Sequence, residues 1–226
     1  MSQKKNDPVY TPAAHTVTGL QSASGNGGNG GNGGNGGNGN QCLGNNTELS
    51  ADTMAFPPDD CFATNTCGGS GRFGNGNWTN GRTEYVNMNY GLTPGAPGTP
   101  DPFVGANTRF EYYKAEIENA AGGDILSNRS ETGTASCFQG TPSTNVNRRV
   151  FLAAGIDCVN NSVNGSAQNV PVDSYFEIFL IRPVGALSGS PGTFDLDVEI
   201  ISEAGGSGNG NSQENGIVRD VVVLYR

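Results

Sequence analysis

Residues 148–158 read RRVFLAAGIDC, and residues 172–184 read VDSYFEIFLIRPV. The first stretch is apolar at consecutive positions after its two arginines, which is typical of a strand that is buried on both faces. The second stretch alternates between apolar and polar residues, so that Phe176, Ile178 and Leu180 fall on one face of an extended chain. The two stretches therefore predict a pair of core strands.

The segment between the two strands is short and polar. Residues 160–169 are mostly Asn, Ser and Gly, which is too little chain for a crossover helix and favours a hairpin or a tight surface crossover. Two further strands are predicted. Residues 194–202 alternate between apolar and polar side chains and would expose one face to solvent, and residues 217–226 are strongly apolar. A segment as apolar as 217–226 has to be paired and buried, so we expect it to complete the core.

One helix is predicted, at residues 108–120. Thr108 and Glu111 have the spacing of a capping box, apolar residues follow at helical intervals, and Gly122 and Gly123 end the pattern. The expected fold is a predominantly β member of the α+β class, with long Gly/Asn-rich loops. Its antiparallel or mixed sheet would contain at least four strands, at 149–158, 172–184, 194–202 and 217–226.

Composition limits both the number of domains and the class of partner. The chain has 226 residues, but 36 Gly and 12 Pro leave too little sequence for two large cores. We expect an N-terminal arm at 1–24, a Gly/Asn low-complexity linker or loop at 25–40, and a single loop-rich β domain at 41–226. A net charge of −9 disfavours nucleic acid and anionic membranes as partners.

The cysteines predict an exported protein. Five cysteines in a chain rich in Gly, Asn, Ser and Thr are unusual for a cytosolic enzyme. Cys61 and Cys67 are close enough to close a small loop, and Cys137 and Cys158 would tie the loop between them onto the first core strand. Cys42 could pair with either of the first two. The sequence contains no apolar export signal and no stretch of about 18 apolar residues that could span a membrane.

Catalytic and metal-binding patterns are weak. The one histidine, His15, lies near the N-terminus, so no Ser/His/Asp or Cys/His arrangement can be built around it, and we expect no enzyme activity and no cofactor. Asp195, Asp197 and Glu199 line one face of the strand predicted at 194–202. A calcium site there is the weaker interpretation, because calcium would need carbonyl or Asn ligands to complete its coordination shell. A solvent-exposed acidic strand face requires no such ligands.

Aromatic residues suggest one binding surface. Trp78, Tyr85 and Tyr90 lie in a polar segment and could form a platform for sugar rings. The favoured interpretation is that they anchor an irregular segment onto the sheet, since aromatic side chains generally dominate cores.

Several short stretches resemble TadG-like proteins, which are envelope components of the tight-adherence (Flp) type IV pilus system. The resemblance covers about residues 50–226. It is carried by the helix that begins TRFEYYKAEI, by the two core strands with Pro183 after the second, by the ending VLYR, and by Gly76-Asn77-Trp78 ahead of the helix.

The resemblance implies a non-enzymatic role in pilus assembly, at the periplasmic or extracellular face of the bacterial envelope. Other pilus-assembly proteins or minor pilins would be the partners, and self-association is a further expectation. Family members usually carry an N-terminal membrane anchor and a von Willebrand-like region with an Asp-x-Ser-x-Ser motif, neither of which is found in this sequence. The chain would then be the C-terminal part of a longer or split gene product, and a von Willebrand-like α/β fold is the alternative to the α+β fold. The alternative function is a secreted adhesin module that binds carbohydrate or another surface.

Overall fold

The computed structural model describes residues 17–19, 49–71, 73–119, 143–158, 160–161, 163, 168–182, 185–186 and 194–204. In chain order the elements are α1 (Asp60–Ala63), α2 (Gly68–Gly71), α3 (Thr79–Tyr90), α4 (Arg109–Asn119), β1 (Val150–Gly155), β2 (Ser174–Leu180), β3 (Gly185–Ala186), β4 (Phe194–Asp195) and β5 (Val198–Ala204). The fold is a mixed α+β fold with a three-stranded antiparallel sheet. No helix in the described ranges has the length and apolar character needed to cross a bilayer.

The chain forms two compact units. The helical unit comprises residues 1–149 and 181–197, and the sheet unit comprises residues 150–180 and 198–226. Within their described parts, the helical unit contains the four helices and the small β3–β4 hairpin, and the sheet unit contains the sheet of β1, β2 and β5.

Helix α3 lies where the sequence predicted an irregular segment, so that prediction was wrong. Its first amides are capped from a distant part of the chain, because Asp60 accepts hydrogen bonds from the backbone of Asn80 (3.0 Å) and Gly81 (3.1 Å). Gly81 also allows a close approach, since a Cβ atom there would lie 2.6 Å from the ring of Pro57. The amide of Thr79 has a local cap in Asn77 Oδ1 (3.1 Å), whereas the bonds to Asp60 and the contact with Pro57 depend on tertiary structure. These distant contacts explain in part why local sequence signals did not reveal the helix.

Helix α4 begins after Thr108 with a reciprocal capping box. Glu111 donates its backbone amide to Thr108 Oγ1 (3.1 Å), and Thr108 donates its own amide to Glu111 Oε2 (3.2 Å). These bonds satisfy amide groups that a helix start otherwise leaves without partners. Phe110, the first apolar residue of α4, is only half-buried. The buried residues of α4 are Arg109, Tyr112, Tyr113, Glu116 and Ile117.

The sheet unit has the strand order β1-β2-β5, with both pairings antiparallel. Val150 pairs with Phe179 and Gly155 with Ser174, so β1 and β2 form the antiparallel pair that a hairpin connection produces. A register shift after Glu177 marks a bulge in the β2–β5 pairing. The burial of β2 does not alternate as predicted, because Phe179 is fully buried whereas Ile178 and Leu180 on the opposite face are half-buried.

The prediction that the first strand is buried on both faces was wrong. Phe151 is 51% exposed and Leu152 is 41% exposed, although they point to opposite faces. Among the described strands, β1 lies at an edge of the sheet and has β2 as its one neighbour. An edge strand with one neighbour leaves more of its side-chain surface open than a central strand does.

The strand predicted at 194–202 is two strands. β4 ends at Asp195 and pairs with β3, whereas β5 begins at Val198 and pairs with β2. The break coincides with a change of partner, and there Ile181 donates its amide to Asp197 O (3.1 Å). The strand predicted at 217–226 lies outside the described residues.

Candidate functional site

An aromatic cluster forms the core of the helical unit. Phe56, from the segment before α1, stacks on Tyr85 of α3 with ring centroids 4.5 Å apart and planes nearly parallel. Trp78 and Tyr112 each meet the ring of Phe56 edge-on at 6.1 Å. All four side chains are buried, and offset-stacked and edge-to-face pairs are the geometries that aromatic rings prefer. The cluster joins α3 and α4 through a residue that belongs to neither helix.

Two arginines lie close to the ring of Trp78. The guanidinium carbon is 5.4 Å from the ring centroid for Arg82 and 5.0 Å for Arg109. Arg109 also donates Nε to Pro57 O (2.7 Å) and pairs through Nη2 with Asp59 Oδ1 (2.7 Å). Delocalised guanidinium groups suit such stacked and paired positions.

The Arg109–Asp59 pair should contribute more to stability than an exposed pair. Its side chains are 4% and 11% exposed, and replacing Arg109 by Met leaves Asp59 without its charged partner. We expect R109M to lower the free energy of unfolding by about 2 kcal/mol, measured by urea titration. The matched control is R182M, which removes the Arg182–Asp197 pair, whose arginine side chain is 44% exposed, and should cost less than about 1 kcal/mol. Equal losses in the two variants would contradict this ranking.

Glu116 is the centre of a buried polar cluster in the same core. Its Oε1 accepts hydrogen bonds from the hydroxyls of Tyr85 (2.7 Å) and Tyr90 (2.8 Å), and the residue is 2% exposed. Burial raises the pKa of Glu116 to about 7, although the two tyrosine hydroxyls and the charge of Arg149 act in the opposite direction. Burial also raises the pKa of both tyrosines above the ordinary value of 10, so their hydroxyls stay protonated and donate.

Arg149 supplies positive charge to this core. Its guanidinium carbon is 5.1 Å from the ring centroid of Tyr113 and 5.9 Å from that of Phe56, and its Nη2 donates to Ile181 O at 2.6 Å. Burial lowers the pKa of Arg149, while the neighbouring Tyr113, Tyr85 and Glu116 raise it. The Glu116 cluster has thus the perturbed pKa that often marks an active site. The two hydrogen-bond donors to Oε1 are tyrosines of α3, so in this structure the carboxyl group joins α3 to α4 inside the core.

A shallow cleft of about 280 Å³ lies at the start of α3. It is lined by Gly76, Asn77, Trp78, Thr79, Arg82 and Asn107. Arg82 is engaged with Asp101 (2.6 Å) and with the carbonyl oxygens of Phe103 and Ala106. With the first amides of α3 bonded to Asp60, the groups that would hold an anion in this cleft already have partners within the protein.

The aromatic residues proposed for sugar binding lie in the core. Trp78 is 3% exposed, Tyr85 is fully buried, and Tyr90 is half-buried with its hydroxyl on Glu116. A sugar ring stacks on an open aromatic face, but the rings of Trp78 and Tyr85 pack against Phe56 and Tyr112. The ring of Tyr90 meets those of Phe103 and Tyr112 edge-on. The platform interpretation is therefore wrong. The prediction that these rings anchor an irregular segment onto the sheet also does not hold, because they pack within the helical unit, two of them on α3.

The three carboxylates proposed for calcium do not share a strand. Asp195 is in β4 and Glu199 is in β5, and Asp197 between them pairs with Arg182. Within the described ranges, no three His, Cys, Asp or Glu side chains converge in a way that could hold a metal ion.

One of the predicted disulfides is present. Cys61 and Cys67 are bonded, with Cα atoms 4.9 Å apart. Cys158 is exposed, and its predicted partner Cys137 lies outside the described residues, as do Cys42 and His15. The Cys137–Cys158 bridge therefore stays a prediction.

The sheet unit presents an apolar face. Residues that are directly opposite in neighbouring strands point to the same side, so the register Phe151–Ile178–Ile200 extends one face across all three strands. We call this surface the apolar sheet face; its apolar residues are Phe151, Ala153, Phe176, Ile178, Leu180, Val198 and Ile200, and the exposed Glu203, opposite Phe176, lies at one end of the same face. Phe151 is 51% exposed, Val198 39% and Ile200 63%.

Sequence reasoning missed Glu116, Arg109 and Phe56. The spacing of Arg109, Tyr112 and Glu116 at three and four residues was available as a signal for a second buried row on the helix. Charged residues are seldom fully buried without partners, so this row was assigned to neither core nor site. Phe56 had no local signal, because it lies next to two prolines in a loop.

Comparisons with known proteins do not identify the chain. No family model matches it, and neither does any curated protein or solved structure.

Proposed function

We propose that the chain is a non-enzymatic binding component of the bacterial envelope that takes part in the assembly of the Flp pilus. The resemblance of its helix and strands to TadG-like proteins supports the pilus system. The Cys61–Cys67 disulfide supports a location outside the cytoplasm, since structural disulfides persist in oxidising compartments.

The observation that carries the proposal is the exposed apolar sheet face. Exposed apolar patches beyond scattered single residues commonly mark protein–protein contact sites. Phe151 and Ile200 are more than half exposed at the two edge strands of the described sheet, and half-buried Ile178 lies between them. Apolar side chains that are exposed on neighbouring strands suit a protein partner, and the partner proposed here is a pilin or another pilus-assembly protein.

Photo-cross-linking in the native cells tests this function. A cross-linking amino acid at position 151 is expected to capture pilins or pilus-assembly proteins, identified by mass spectrometry. The same amino acid at position 92 is the control, because Leu92 is apolar and fully exposed but lies in a loop of the helical unit. Capture of unrelated proteins only, or equal capture from both positions, would contradict the proposal.

A charge on the apolar sheet face should weaken the contact. We expect F151D to reduce the yield of cross-links from position 200 by about tenfold, because burying an aromatic side chain contributes about 1.5 to 3 kcal/mol to binding. The control L92D should leave that yield unchanged. Circular dichroism of both variants would verify that the fold is retained, and unchanged capture by folded F151D would refute a role for this face.

A further inference from the structure

The segment at the start of α3 carries an acceptor sequence for N-linked sugars. Residues 77–79 read Asn-Trp-Thr, and the pattern Asn-x-Ser/Thr, in which x is not Pro, marks the asparagines that receive sugars in exported proteins. The same pattern begins at Asn45, Asn128, Asn160 and Asn164. Because so short a pattern also arises by chance, the structure has to show which asparagine is arranged as an acceptor.

The polar side chains of this sequence lie at the surface, whereas the residue between them is buried. Asn77 and Thr79 are exposed. Trp78 is 3% exposed and donates Nε1 to Asn107 O at 3.1 Å. Beside Asn77, a Cβ atom on Gly76 would have no heavy atom of the described residues within 4 Å, its own chain neighbours apart. The buried indole therefore holds the acceptor sequence in place while its two polar side chains face open space.

Hydrogen bonds within the sequence activate the side-chain amide. Asn77 Oδ1 accepts from the backbone amide of Thr79 (3.1 Å) and from the hydroxyl Oγ1 of the same residue (2.8 Å). An amide nitrogen is a poor nucleophile until it loses a proton, and the negative charge then lies largely on the carbonyl oxygen. Two donors that point at Oδ1 stabilise this charge as it develops.

The asparagine at position 160 is arranged differently. Asn160 donates its side-chain nitrogen Nδ2 to Asp157 Oδ2 and its backbone amide to Asp157 Oδ1 (2.9 Å). Among the described residues, Asn77 Nδ2 has no hydrogen-bond acceptor. Asn77 is therefore the better acceptor in the folded chain, because a sugar donor can reach its nitrogen without displacing a carboxylate.

We propose that Asn77 is a glycosylation site that receives a sugar on Nδ2. The donor is a sugar that is joined through C1 to a diphosphate, and a glycosyltransferase of the cell catalyses the transfer. The bond between C1 and Nδ2 forms as the bond between C1 and the diphosphate oxygen breaks. The diphosphate leaves with the electron pair, and a base of the transferase takes the proton from Nδ2. This modification goes beyond the proposed pilus function and does not depend on it.

Mass spectrometry of the full chain from its native cells tests the site. Trypsin releases residues 73–82, FGNGNWTNGR, as one peptide. We expect a sugar on Asn77 and none on Asn75 or Asn80, which have no Ser or Thr two residues later. The added mass also identifies the donor. A single sugar residue indicates a diphosphate carried by a nucleotide, whereas an assembled oligosaccharide indicates one carried by a membrane lipid.

The variant N77D separates a sugar acceptor from a helix cap. Asp keeps an oxygen that accepts from Thr79 and caps a helix as well as Asn does, but it has no nitrogen for a sugar. We expect N77D to lose the sugar completely and to keep the circular dichroism spectrum of the parent chain. T79A removes the hydroxyl bond to Oδ1 and should lower the glycosylated fraction at least about tenfold. T79S keeps a hydroxyl and should retain most of the sugar.

Three results would overturn the proposal. If residues 73–82 from the parent chain carry no sugar, Asn77 acts only as the local cap of α3. A sugar found as often on Asn75 or Asn80 would show that the acceptor sequence is not recognised. Equal glycosylated fractions in T79A and T79S would show that the hydroxyl bond to Oδ1 does not activate the amide.

Discussion

Replacing Phe56 by Ala is expected to lower the free energy of unfolding by about 3 to 5 kcal/mol. Phe56 is 2% exposed and contacts the rings of Tyr85, Trp78 and Tyr112. Its removal would leave a cavity among large aromatic side chains that are held by α3 and α4, and such rigid surroundings collapse poorly into the space. The guanidinium of Arg149, 5.9 Å from the ring centroid, would also lose a contact.

F73A is the matched control for this substitution. Phe73 is 69% exposed, so the same chemical change should cost less than about 0.5 kcal/mol. Urea-induced unfolding followed by tryptophan fluorescence gives both values, because Trp78 belongs to the cluster. A loss below about 1 kcal/mol in F56A would show that the aromatic cluster is not the core of the helical unit.

The stability of the chain is expected to depend on pH through Glu116. Burial raises the pKa of this carboxyl from 4.5 to about 7 in the folded protein. The folded state therefore holds the proton more tightly than the unfolded state does. The contribution of the protonated group is fully present below about pH 4.5 and is lost progressively as the pH rises to about 7.

The size of this loss follows from the pKa difference. A change of one pKa unit corresponds to about 1.4 kcal/mol, so the difference between 4.5 and about 7 amounts to about 3 kcal/mol. The two tyrosine hydrogen bonds and Arg149 favour the charged form, but they offset only part of the cost of burying a carboxylate.

E116Q isolates this effect from the other titrating groups. Gln keeps an oxygen that can accept from Tyr85 and Tyr90 but carries no charge at any pH. We expect E116Q and the parent chain to be within about 1 kcal/mol of each other at pH 4.5, and E116Q to be more stable by about 3 kcal/mol at pH 8. E118Q on the exposed face of α4 is the control and should follow the parent chain throughout.

Two outcomes would contradict a raised pKa of Glu116. If E116Q becomes less stable than the parent chain as the pH rises, the carboxylate is stabilised by its partners and its pKa is lowered. A difference that does not change with pH would mean that Glu116 titrates alike in the folded and unfolded states.

The sequence by itself determined the elements whose signals are local. The apolar runs around Phe151 and Phe176, joined by a short polar segment, were sufficient for the antiparallel pair β1–β2. The capping-box spacing of Thr108 and Glu111 predicted the start of α4. The six-residue separation of Cys61 and Cys67 is compatible with the disulfide that joins them. In each case the interacting groups are near one another in the chain or follow a period set by backbone geometry.

Tertiary structure alone decided the features that depend on distant partners. Helix α3 is capped by Asp60, about 20 residues earlier, and the carboxylate of Glu116 is paired with tyrosines from another helix. The break between β4 and β5 occurs because the two strands pair with different neighbours. Sequence periodicity predicts which residues share a face of a helix or strand, but it does not predict against which other element that face packs. The burial of Trp78 and Glu116, and with it the chemistry of the core, became visible only once the helices were packed.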